Sequence, residues 1–130
     1  MAQGANHQVP TISTHVLDTE RGAPAPGVHV TLYRLADDGR PLRLTQALTD
    51  LDGRVRDLLE RPLTAGDYRL EFNFAPDLPG DLAAPAAPPT LPEERFFRRI
   101  SLDLRVTDTK RSYHVPLLVA PYSITTYRGS

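Results

Sequence analysis

Apolar side chains recur at every second position through short segments of this chain, and glycine or proline interrupts each segment before it reaches helical length. A period of two with frequent breaks specifies strands. In "TISTHVLD", Ile12, Thr14 and Val16 alternate with Ser13, His15 and Leu17, and "RGAPAPG" then stops the run. "VHVTLYRL" puts Val28, Val30 and Leu32 on one face, which sends the intervening His29 towards solvent. Asp38-Gly39 and Asp52-Gly53 are hairpin signals, and Gly66-Asp67 leads into "YRLEFNF". Ile100, Leu102, Leu104 and Val106 alternate again, and "YHVPLLVAPYSITTYRGS" supplies two last strands around Pro121. About eight short strands without a long helix predict an all-β domain, a β-sandwich.

The 13 prolines reinforce this reading by their placement. Residues 75–94, "APDLPGDLAAPAAPPTLPEE", are so rich in proline and alanine that they cannot supply a regular ladder, because proline lacks the amide donor. They are expected to form a surface loop with room for one helical turn. Residues 1–9 read as a flexible polar leader and 10–130 as a single domain.

Composition excludes several classes of function. A chain of 130 residues without cysteine has no redox site, zinc-thiolate cluster or cysteine nucleophile. Fifteen basic residues against 16 acidic ones give no field to steer the chain to nucleic acid or to a membrane surface. No apolar run spans a bilayer, and the opening residues lack a signal-peptide pattern. The expectation is a soluble, cytoplasmic protein; a peroxisomal location also fits, although the terminal Ser-Lys-Leu address is missing. There is no P-loop, dinucleotide-binding glycine pattern, metal-binding histidine helix or nucleophile elbow. Asp18, Asp50, Asp52 and Asp108 do not pair by spacing into a carboxylate dyad. No cofactor and no metal are expected, and metal-independent proton transfer remains.

The four histidines differ in setting. His7 lies in the polar leader. His15 and His114 sit in strands whose neighbours are largely apolar on both faces, so neither faces ordinary solvent. Imidazole titrates near neutrality and suits proton transfer, although a hydrogen-bonded histidine at a packed edge or subunit interface reads equally well from these residues. Arg54 follows the Asp52-Gly53 turn and Arg128 lies near the end of the sequence. Both read as surface cations unless arrangement shows otherwise, but a guanidinium is the group best shaped to grip a planar, carbonyl-rich ligand.

The blocks "ISTHVLDTERGAPAPGVHVTLYRL", "TDLDGRV", "YRLEF" and "YHVPLLVAPYSITTYRGS" resemble the 5-hydroxyisourate hydrolases, enzyme relatives of the carrier transthyretin. The terminal Tyr-Arg-Gly-Ser is the most specific part of the likeness. The resemblance implies a transthyretin-like two-layer antiparallel β-sandwich, assembled as a homotetramer with sites between dimers. It also implies hydrolysis of the ring amide of 5-hydroxyisourate, a small-molecule substrate. The family's catalytic positions fall on His15, Arg54 and His114, and its terminal substrate-binding motif falls on Tyr127, Arg128, Gly129 and Ser130. On this resemblance the histidines activate water and shuttle its proton, Arg54 polarises the carbonyl, and the terminal residues position substrate or water.

The likeness departs in two places. Residues 75–94 are longer and richer in proline than the usual helix-bearing connection, and Arg98-Arg99 stand where relatives carry Pro-Glu. Both lie away from the matched site positions. A non-catalytic, transthyretin-like carrier of a small aromatic ligand is the alternative, and the joint presence of His15, Arg54, His114 and the terminal motif weighs against it.

Overall fold

The computed structural model describes residues 9–74 and 96–129, and every regular element within them is a strand. One sheet contains β1 (Ile12–Asp18), β2 (Ala23–Pro24), β8 (Tyr113–Ala120) and β9 (Ser123–Thr126), in the order β2-β1-β8-β9, with β5 (Arg54–Val55) also paired to β1. The other is β4 (Pro41–Leu48), β3 (His29–Leu35), β6 (Gly66–Asn73) and β7 (Arg99–Val106), in the order β4-β3-β6-β7. The expected two-layer sandwich is therefore present. One pairing departs from the expected antiparallel pattern: β1 and β8 run parallel, Ile12 opposite Tyr113 through to Asp18 opposite Val119.

The alternation read from the sequence is the alternation of burial. Ile12, Thr14, Val16 and Asp18 of β1 point into the core with Val115, Leu117 and Val119 of β8. From the facing sheet, Val30, Leu32, Tyr68, Leu70 and Phe72 complete the core, each at most 1% exposed. A fully buried side chain of this size stabilises the fold by about 1.5–3 kcal/mol. The buried polar groups on this inner side are satisfied: Thr14 donates to the Val115 carbonyl at 2.6 Å, and Asp18 accepts from the Glu20 and Arg21 amides at 3.0 and 3.1 Å.

The predicted hairpin at Asp38-Gly39 joins β3 to β4, with Gly39 at a φ of 86°. His29 corrects the sequence reading. It is only 6% exposed, because β3 is buried on both faces over its first four residues. Strict alternation assumes one wet face, and a strand in the middle of a sheet can lack one. The predicted 75–94 loop and its helical turn lie outside the described residues, as does the leader up to residue 8.

Candidate active site

The outer face of the β1 sheet carries Ser13, His15 and Leu17, side chains that alternation sends away from the core. Along the far edge of β1 two short strands share the pairing. β5 takes Thr14 and His15, β2 takes Leu17 and Asp18, and the exchange occurs at Val16. There the Val16 amide donates to the Gly53 carbonyl at 2.7 Å, and the Val16 carbonyl accepts from Ala25 at 3.0 Å.

The turn into β5 explains where Arg54 goes. One Asp50 carboxylate oxygen accepts the amides of Asp52 at 2.8 Å and Arg54 at 3.0 Å, and the Gly53 amide closes onto the Asp50 carbonyl at 2.8 Å. Gly53 adopts a φ of 76°, the left-handed region that glycine enters without cost. A Cβ at this position would collide with the Val16 carbonyl oxygen. The Asp-Gly pair therefore serves both the turn and the close approach to β1, and it sets Arg54 directly opposite His15.

His114 arrives from the other side. The parallel register puts it opposite Ser13, two residues before His15 on the same face. Arg54 borders both of two depressions of about 520 Å³, one lined also by Ser13, Asp57 and His114, the other by His15, Leu17 and Asp52. His15, Arg54 and His114 thus form one cluster.

The electrostatics of the cluster favour neutral imidazoles. Burial and then the Arg54 charge lower the pKa of His15, against opposing pulls from a hydrogen bond to the Asp52 backbone and from the Asp50 and Asp52 carboxylates. Burial, Arg54 and His15, in that order, lower the pKa of His114. A neutral imidazole has a lone pair available to accept a proton, while the fixed guanidinium supplies positive charge beside it.

The terminal motif divides. Gly129 bridges to His114, its amide donating to the His114 carbonyl at 2.7 Å. Tyr127, 56% exposed, and Arg128 instead line a separate cleft of about 480 Å³ with Leu102, Leu104, Tyr113 and Val115. Ser130 lies outside the described residues. Sequence reading missed Ser13, whose Oγ lies 2.9 Å from Nδ1 of His114; the partners are 101 residues apart, and only the strand register joins them. Among the described residues, no three histidine, aspartate or glutamate side chains gather to hold a metal, and no helix is long and apolar enough to cross a membrane.

Comparison with known proteins agrees with this architecture. The chain is 46% identical over 123 residues to a 5-hydroxyisourate hydrolase of Deinococcus radiodurans, covering 93% of this chain and 97% of that one. Its fold matches the 5-hydroxyisourate hydrolase of Klebsiella pneumoniae with a TM-score of 0.69 at 34% identity, over 93% of this chain and 99% of that one. Sea bream transthyretin, solved in complex with thyroxine, matches with a TM-score of 0.70 over 91% of this chain and 93% of that one; at 22% identity it shows the fold alone. The model of the HIUase/Transthyretin family matches residues 12–129, and the chain belongs to that family.

Proposed function

We infer that this chain is a 5-hydroxyisourate hydrolase, an enzyme that opens the ring amide of 5-hydroxyisourate to give 2-oxo-4-hydroxy-4-carboxy-5-ureidoimidazoline. The observation that carries this reading is the convergence of His15, Arg54 and His114 on one sheet face, in a chain 46% identical to a hydrolase of that name.

The geometry suits the chemistry. Water adds to the amide carbon as the histidine pair takes its proton. The carbonyl oxygen gains negative charge, which the Arg54 guanidinium offsets. The C–N bond then breaks and the proton passes to the departing nitrogen, so the atoms of one water molecule are accounted for. Loss of one such oxyanion partner costs about a hundredfold or more in turnover.

Assembly as a homotetramer, with sites between dimers, belongs to the same proposal. Its support is the partly exposed Leu17, Leu118 and Ala120 around the histidines, and the apolar cleft that Leu102 and Leu104 leave at the β7 edge. An enclosed pocket is what a second copy laid on that face would create. Tyr127, Arg128 and Ser130 are proposed to complete the substrate site in that assembly. A cytoplasmic site of action, consistent with a chain without cysteine, completes the proposal, and cell fractionation would test it.

The ultraviolet decay of freshly generated 5-hydroxyisourate tests the activity against its own spontaneous hydrolysis. Faster decay, lost in His15→Ala and His114→Ala, supports the hydrolase. A folded protein without acceleration would favour a carrier.

A further inference from the structure

We propose that Ser13 is a positioning residue for His114, holding Nδ1 of the imidazole so that Nε2 is the nitrogen presented to the site. The inference rests on the hydrolase reading. Three observations carry it: the 2.9 Å contact from Ser13 Oγ to His114 Nδ1, the register that sets the two residues opposite each other, and the Gly129 backbone against the other edge of the ring.

The identity of the partner matters. A carboxylate or a carbonyl can only accept, so either would hold the ring only while Nδ1 carries a proton, and a carboxylate would also favour the charged imidazolium. A hydroxyl both donates and accepts. Ser13 can therefore donate to a bare Nδ1 or accept from a protonated one without moving. A histidine that exchanges protons during turnover needs an anchor that survives both states, and a neutral hydroxyl leaves its basicity to burial, Arg54 and His15.

Gly129 closes the opposite side. A Cβ on Gly129 would stand 3.0 Å from His114 Cδ2 and 3.3 Å from its Cβ, tight enough to push the ring aside. Without that atom the terminal backbone lies against the Cδ2 edge, which adjoins Nε2. The ring is bounded on both edges, by a hydrogen bond on one and by backbone on the other.

Ser13→Val and Ser13→Thr separate the hydroxyl from the volume it occupies, and both residues favour a strand. Losing one neutral hydrogen bond that orients a catalytic group should lower kcat roughly five- to tenfold in Ser13→Val, with little change in KM. Ser13→Thr should restore the rate. In nitrogen-15 spectra the His114 Nδ1 signal should move in Ser13→Val while Nε2 stays nearly in place, with Ser13→Ala as the second variant for this measurement. A Ser13→Val enzyme as fast as wild type, a Ser13→Thr enzyme as slow as Ser13→Val, or an unmoved Nδ1 signal would overturn the proposal. A wild-type protein that does not accelerate decay removes the hydrolase reading instead, and the Nδ1 signal still decides whether Ser13 holds the ring.

Discussion

His15 and Arg54 oppose each other directly across β1 and β5, so burial first and then a permanent positive charge beside the imidazole suppress its protonation. Arg54 acts on His114 in the same direction. Replacing Arg54 with glutamine removes that charge, so both histidines should bind protons at higher pH than in the native protein. The acid limb of the kcat/KM profile should then move towards alkaline pH, while turnover falls by about a hundredfold. A limb that stays in place would show that neither histidine governs it.

Gly53→Ala should damage both stability and site. The new Cβ enters a left-handed backbone position and meets the Val16 carbonyl. The left-handed conformation alone costs about 1–2 kcal/mol in a residue with a Cβ, and relieving the collision means separating β5 from β1. The expected result is a lower melting temperature and a loss of turnover larger than that seen after an equally destabilising core substitution such as Leu70→Val. Equal losses in the two variants would mean that the β5 register does not set Arg54.

Acid should destabilise the fold through His29. Burial lowers its pKa in the native state, so the unfolded chain binds a proton more readily than the folded one. Stability from this group is fully present above the unfolded value of about 6.5 and is lost as pH falls from there towards the lowered native pKa. Urea midpoints at pH 7.5 and pH 5 should differ less in His29→Leu than in wild type. His15 and His114 shift in the same direction, so the comparison between the two proteins isolates the His29 share.

Deleting Tyr127 to Ser130 removes the Gly129 bridge to His114 but no residue of β9, which ends at Thr126. Circular dichroism should report a largely intact sandwich, and the decay assay should show activity lost. A truncated protein that stays active would detach the terminal motif from the reaction.

Much of the fold is legible in the alternation, because a sandwich strand with one wet face writes its orientation into every second residue. Ile12, Thr14 and Val16, and again Leu102, Leu104 and Val106, show their inward side in this way. His29 does not follow, since β3 is covered on both faces and period two carries no signal there. β2 and β5 span two residues each, too short for any pattern. The site is less legible than the fold. His15 and His114 stand out by their apolar neighbours, but that Arg54 faces one and Ser13 holds the other depends on register between distant segments. Asp50, which shapes the turn through a single carboxylate oxygen, looks in sequence like any surface acid.

The parallel union of β1 with β8 has a consequence for how activity is acquired. The β1–β8 pairing sets Ser13 opposite His114, 101 positions later, and closing so long a loop carries an entropic cost that only the finished sheet offsets. During synthesis, β1 has only the two-residue strands β2 and β5 to pair with until β8 is made, while the β3, β4 and β6 strands become available to pair with one another. Activity should therefore arise late and abruptly, after the hairpins of the other sheet have formed and once β8 and the segment through Gly129 have emerged.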